Sequence, residues 1–514
     1  MIFYIRLLTF KSMNTKKSIF FVSLVFSLHF AGYAQKTFYN ITDFGAIGDG
    51  NYLCTEPLNR AITACSGNGG GTVIIPRGKF KSGTVILKDN VELRLEMGAT
   101  LLASTDHKNF PRQPQPAYRS QKDPGGWFSL IYAEGATNIA ITGLGTIDGN
   151  GAQQTAVPGL LSGDRDGRPR NILFISCNHI RVEGIRMMNS GIWNQHYLNC
   201  EDVIVDRIEV YNHSNRNNDA IDIDGCRRFV LSNSILDSDD DCITLKSTGS
   251  ASTEDVVVTN CVTSSFCNAI KAGTESTGGF RNITISNCVV KPSRCTEKSV
   301  FRTPRNGITG ISLEIVDGGI MEGISISNIT IEETECPLYI RLGNRARKHT
   351  EDAPEPGLGT MRNISISNIT AYDCGNFSSS ITAVPGCTIE NVTINNIQLH
   401  NKGGLKDGEY IASLSDVKED EKGYPQPSVW KNLPSSVFFI RHVKNLAISN
   451  LMFDSNEPDP RVPVIAVDVQ NLQIGKSMYT GASSSGPFIL LDHVTGTEIE
   501  KPQNWQDKKF IRKL

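Results

Sequence analysis

The sequence predicts an all-β solenoid, a parallel β-helix with terminal caps, on three observations. A short block recurs: Asn282-Ile-Thr-Ile-Ser-Asn-Cys288, Gly323-Ile-Ser-Ile-Ser-Asn-Ile329, Asn363-Ile-Ser-Ile-Ser-Asn-Ile369 and Asn445-Leu-Ala-Ile-Ser-Asn-Leu451. Weaker copies beginning at Asn178, Asp202, Arg228 and Asp255 follow one another about every 24 to 27 residues, the length of one coil. The copies alternate apolar and polar residues and favour β-branched types, the period of a half-buried strand, and none carries a 3.6-residue stripe. Inward Ile, Val and Cys would then stack coil on coil about 4.8 Å apart. A β-sandwich with chance repetition does not account for the fixed period.

Taken in chain order, the elements fit this plan. Residues 1–34 read as a secretory signal peptide: Lys16 and Lys17 make a basic start, residues 19–30 are mostly apolar, and Ala34-Gln35 offers a cleavage site. The apolar stretch is short for a bilayer span, and no later segment approaches about 18 uninterrupted apolar residues. The expectation is an exported, periplasmic or secreted protein with one β-helix domain over 35–514 and no membrane contact after signal removal. Residues 57–65, with Leu58, Ala61, Ile62 and Cys65 at helical spacing, suit a capping helix. Residues 106–127 and 402–433 lack strand repeats and read as long loops.

Composition excludes several classes. The 514 residues carry 51 Lys+Arg against 53 Asp+Glu, net charge -2, with 39% hydrophobic residues, so the chain is globular rather than disordered. It has no basic block, which argues against a nucleic-acid partner. The 13 cysteines include no Cys-x-x-Cys pair, so structural zinc is unsupported. Cys200, Cys226, Cys261 and Cys288 fall in successive repeats, as buried small hydrophobes do. A monomer is expected.

The chemistry points to acidic residues. Asn217-Asn-Asp219-Ala-Ile-Asp222-Ile-Asp224 is followed by Asp237-Ser-Asp239-Asp240-Asp241. Asp219 and Asp240 are separated by about one coil, so stacking can place them on neighbouring coils of one face. Like charges at short range push pKa values apart, which turns two carboxyl groups into an acid and a base, and glycoside hydrolysis needs that pairing. Asp240 and Asp241 are adjacent, so both reach a cleft only where the chain turns or bulges. From spacing alone, a solvated Asp-rich turn or a calcium loop fits equally.

At these residues the sequence resembles glycoside hydrolase family 28, the polygalacturonases and rhamnogalacturonan hydrolases. Asp43-Phe-Gly-Ala-Ile-Gly-Asp-Gly50, Gly69-Gly-Gly-Thr-Val-Ile-Ile-Pro76, Gly143-Leu-Gly-Thr-Ile-Asp-Gly149, Trp193 and His196 also look like that family's landmarks. The resemblance implies a right-handed, single-stranded parallel β-helix, and an inverting hydrolase of α-linked, galacturonate-containing pectin. It implies catalytic roles too: Asp240 as general acid, Asp219 and Asp241 holding and deprotonating the attacking water. Asp222, Asp224 and Asp239 would be turn or supporting residues, and no metal or organic cofactor is implied.

Two departures bear on substrate. Where polygalacturonases carry Gly-His-Gly, this chain has Cys267-Asn268-Ala-Ile-Lys271. Where they carry Arg-Ile-Lys, it has Ser312-Leu-Glu314. Asn217, Asn268, Lys271 and Glu314 are therefore the expected substrate-binding residues, with Lys271, Arg302, Arg305 or Arg341 as replacement cations. A carboxylate at Glu314 would repel an acidic sugar, favouring a rhamnogalacturonan-type or related pectin glycosidase over an ordinary polygalacturonase. The long loops 106–127 and 402–433 would suit a blocked, exo-acting site. A calcium-dependent β-helix pectate lyase and a non-catalytic glycan-binding solenoid are the other readings.

Overall fold

The computed structural model describes residues 37–154, 167–298, 305–481 and 486–514. The expected signal peptide, residues 1–34, lies outside them. Among the described residues, 35 strands join one continuous sheet whose strand pairs run parallel from Phe38 to Lys513. This is the right-handed parallel β-helix that the resemblance implies.

The repeated block explains the coil. Its asparagines sit at corners: Asn363, Asn368, Asn391 and Asn396 hold φ between 55° and 58°, a left-handed backbone that asparagine tolerates better than most residues with a side chain. Their amides then ladder up the stack. Asn391 donates to Asn363 at 2.9 Å, Asn445 to Asn391 at 2.9 Å, and Asn471 to Asn445 at 2.8 Å. Between the corners, Ile324, Ile364, Val392 and Leu446 align in register as one inward column. Burying each such side chain contributes about 1.5–3 kcal/mol, so the column rewards every added coil. All 13 cysteines are free, and all but Cys387 are buried, as expected of small hydrophobes.

Helix α1 (Thr55–Gly67) buries Pro57, Leu58, Ala61, Ile62 and Cys65 against the first strands, as the helical spacing predicts. Pro57 falls in its first turn, where no intrahelical N–H is lost. Among the described residues, no helix is long and apolar enough to cross a membrane.

One face of the coil stack positions the site. It comprises β1 (Arg170–Ile175), β2 (Gln195–Leu198), β3 (Ile221–Asp224), β4 (Ile243–Ser247), β5 (Asn268–Ser276), β6 (Thr309–Ile315) and β7 (Cys336–Leu342), each paired with the next. Phe174, Tyr197, Ile223, Leu245, Ala272, Leu313 and Ile340 form the inward row. Because side chains alternate, the neighbouring row of His196, Asp222, Thr244, Lys271, Ser312 and Tyr339 points outward. The two long loops cover this outward row. Val417, Trp430 and Leu433 pack on Tyr339, and Tyr118 and Trp127 pack on Leu173, Ile175 and Leu198. Polar residues on the outer face of the sheet are thus buried beneath loops.

Candidate active site

Asp219 lies just before β3, and Asp240 and Asp241 lie in the bend just before β4. The adjacent coils meet there: the backbone N–H of Ala220 donates to Asp241 O at 3.1 Å and that of Ile221 to Cys242 O at 3.1 Å. The bend releases Asp240 and Asp241 from strand alternation, so both reach the same side. All three carboxyls line one cleft of about 690 Å³. Carboxylate oxygens of Asp240 and Asp241 and the Cys267 thiol lie within 4.8 Å of one another.

Their environments differ. Burial, reinforced by Asp222 and Asp240, holds the Asp219 carboxyl well above the ordinary range, against the pull of Lys246. Burial also acts to raise Asp241, but the charges of Lys271 and Lys246 and the Asn268 amide outweigh it and keep this carboxyl below the ordinary range. The proton is drawn toward Asp219 and the negative charge toward Asp241. Asp240 is the most exposed of the three and accepts the Asp241 backbone N–H on Oδ1 at 3.0 Å.

Asn217, in a left-handed corner with φ 52°, lines the cleft and accepts from Arg168 at 3.2 Å. Asn268 also lines it and donates to Asp241 Oδ1 at 2.5 Å, while its own carbonyl accepts from Thr309 at 2.7 Å. Lys271 and Glu314 do not reach the cleft wall. Lys271 is 1% exposed, with Nζ 3.1 Å from Asp241 Oδ2, 3.8 Å from Glu314 and 3.4 Å from the Tyr424 hydroxyl. Glu314, also 1% exposed, accepts from Ser312 and Thr274, and burial raises its pKa even beside Lys271. Strand register places both on the outward face under a loop, so Lys271 meets Asp241 from behind, and Glu314 lies against Lys271.

The cleft's cations come from elsewhere. Lys122 arrives on the loop 106–127, Arg168 lies just before β1 and Arg170 opens it, Lys246 lies on β4, Arg305 comes just before β6, and Arg345 and Arg347 come from the loop after β7. These seven face four carboxyls, Asp219, Asp240, Asp241 and Glu275. Glu275 spaces two of them: its oxygens take Lys122 Nζ at 2.9 Å and Lys246 Nζ at 3.3 Å. Arg345 is ion-paired with Asp317. Of the replacement cations expected, Arg305 lines the cleft. Arg341 is buried and holds the loop 402–433 through the carbonyls of Glu419 and Asp420. Arg302 lies outside the described residues. Arg168 and Arg170, absent from the expected set, had one sequence signal: two arginines flanking Pro169 immediately before an apolar strand.

Trp193 lines the cleft, with Lys122 Nζ 4.7 Å and Lys246 Nζ 4.8 Å from its ring centre. His196 lies behind it, edge-on at 4.9 Å, fully buried and bonded to Asp224 at 3.0 Å, and burial pushes its pKa down to about 4. Asp224 also accepts the backbone N–H and hydroxyl of Thr248. Asp222 is fully buried beside Lys246 and is pushed up to about 8 by burial. Asp239 is fully buried as well. None of these three acids lines the cleft.

Comparison with known proteins identifies the family. The family model of the glycosyl hydrolases family 28 matches residues 65–410. A probable polygalacturonase of Vitis vinifera is 25% identical over 461 residues, covering 86% of this chain and 87% of that protein. An exopolygalacturonase of Zea mays is 22% identical over 400 residues, covering 75% and 88%. Among solved structures, a hyperthermoactive exopolygalacturonase from Thermotoga maritima superposes with a TM-score of 0.62 at 21% identity, covering 82% of this chain and 92% of that one. A family 28 exopolygalacturonase of Yersinia enterocolitica superposes with 0.63 at 18%, covering 85% and 78%. These two likenesses are of fold. With the family match spanning most of the chain and the matching aspartates gathered in one cleft, this protein is a glycosidase that belongs to glycosyl hydrolase family 28.

Proposed function

We propose that this glycosidase releases galacturonate from the end of a galacturonate-containing pectin chain, with inversion. The observation that carries the reading is the ring of seven cations around three aspartates in one cleft. A neutral sugar has no use for that charge, whereas a polyuronate supplies an anion at each residue. An uncharged neighbour sugar follows only if Glu314 faces substrate, and Glu314 is instead buried against Lys271. Exo action is supported by the loops: Gly125 and Gly126 from 106–127 and Tyr424 and Gln426 from 402–433 wall the cleft. Relatives named exopolygalacturonase add to it.

In this reading Asp240, the most exposed carboxyl, protonates the leaving oxygen. Asp241, kept ionised by Lys271 and Asn268, removes the proton from water, and Asp219 orients that water. One observation favours a second reading. Carboxyl groups about 5 Å apart suit a direct nucleophile, and the oxygens of Asp240 and Asp241 approach within 4.8 Å. Against it, both Asp241 oxygens are already engaged, one by Asn268 and one by Lys271, which suits a base better than an attacking group.

Product analysis tests the function. Digestion of homogalacturonan should yield monogalacturonate from the first minutes without intermediate oligomers. A ladder of oligomers would refute exo action, and release from rhamnogalacturonan alone would refute the acidic-sugar reading. Export through residues 1–34 and a monomeric state belong to the same proposal. A mature chain starting at Gln35 by mass spectrometry, and a monomer mass by light scattering, are the expected results.

A further inference from the structure

One cleft cation stands apart. Five of the others are tied down: Lys122 and Lys246 by Glu275, Arg168 by the carbonyls of Gly191 and Arg216, Arg305 by that of Phe266, and Arg345 by Asp317. Arg347 is exposed to solvent. Arg170 is 6% exposed, yet among the described residues no hydrogen bond or ion pair reaches its guanidinium, and its Nε is buried without a partner. Buried polar groups are almost always bonded, and a guanidinium offers five donors, so this one lacks an acceptor that something else must bring. Two indoles frame it. Its Cζ lies 5.3 Å from the Trp193 ring centre and 5.8 Å from that of Trp127. Aromatic faces favour a flat guanidinium and restrain its plane, leaving the donor fork for a planar acceptor.

We propose that Arg170 is the specificity residue that binds, fork to fork, the carboxylate of the acidic sugar held beside Asp219. The inference rests on the galacturonide reading above and names the group that enforces it. Trp127 and Trp193 are its positioning residues. Arg170 opens β1 and Asp219 precedes β3, two coils or about 10 Å further along the stack, and both line the same cleft, so a sugar seated against Asp219 can turn its carboxylate to Arg170. The rival role is counter-ion to buried Asp222, but no ion pair joins the two among the described residues, and Asp222 already has Lys246 Nζ at 3.6 Å.

The test compares trigalacturonate with its methyl ester by titration calorimetry, in an Asp240→Asn background that stops turnover. That protein should bind the acid at least about tenfold more tightly than the ester. Adding Arg170→Met should remove about tenfold of that preference while leaving ester affinity unchanged. Arg170→Lys, which keeps charge but not the fork, should retain part of the preference, and it carries the test if the Met variant does not fold. Equal loss for both ligands, or full preference in the Met variant, would overturn the proposal. Wild-type digestion of homogalacturonan separates the two readings: hydrolysis with an unaltered preference in Arg170→Met overturns only the role of Arg170. No hydrolysis and no preference for the acid overturn both.

Discussion

Replacing Lys271 by Met should destabilise the fold and shift the pH dependence of the reaction together, because one buried ammonium serves both. Lys271 Nζ lies 3.1 Å from Asp241 Oδ2, with the two side chains 1% and 6% exposed. Removing one partner of such a buried pair costs about 3–5 kcal/mol. The lower end applies, since the Asn268 amide remains on Asp241 and Lys246 still acts on it. The sign follows from the two pKa directions. Asp241 is held low, so its contribution is present above its unfolded value of about 3.9 and is lost as pH falls through the folded one. Burial acts to lower Lys271, but Asp241 and Glu314 hold it well above its ordinary value, so its contribution is present below about 10.4 and is lost only at higher pH. The deficit of Lys271→Met should therefore be full between about pH 5 and pH 10 and should shrink below about pH 4. With an m-value of about 5 kcal/mol/M, the guanidinium midpoint read by tryptophan fluorescence should fall by about 0.6 M at pH 7. Without Lys271 the Asp241 pKa rises, so the acid limb of kcat/KM should move to higher pH. A deficit of equal size at pH 3.5 and pH 7, with an unmoved acid limb, would refute the reasoning.

Two further outcomes follow from single positions. Asp240→Asn should lower kcat by about 10²–10⁴ with little change in KM, measured by reducing-sugar release, since the carboxamide fills the same space but has no proton to give. Gly143→Ala should lower the thermal midpoint, because Gly143 has φ 111° and an added Cβ would stand 2.0 Å from Leu95 O. Strain and overpacking together predict a loss of about 2–4 kcal/mol with the active-site pH profile unchanged.

The fold was legible because its rules are local and repeat. The alternation within each block and the asparagine at each corner recur coil after coil, and both are visible without knowing any long-range contact. The aspartates were legible for the same reason: Asp219 and Asp241 lie about one repeat apart, and coil stacking turns that spacing into proximity. The cations, Arg305 excepted, were not. Lys122 and Arg347 belong to loops more than 200 positions apart that meet across the cleft, where Gln121 reaches Arg347 O at 3.5 Å. Neither loop carries a repeat to betray its destination. Lys271 and Glu314 were placed against substrate because their windows align with family cation positions, but register alone does not show that a loop roofs the outward row. The roof changes their chemistry: Lys271, expected to touch sugar, meets Asp241 from behind instead.

The central claim, that Asp241 acts as a base on water and not as the attacking group, is tested most directly by ¹H NMR of the anomeric proton during the first turnovers on α-linked galacturonan. The account predicts β-galacturonate first, with the α-anomer growing only as mutarotation proceeds. Appearance of α-galacturonate first would contradict it.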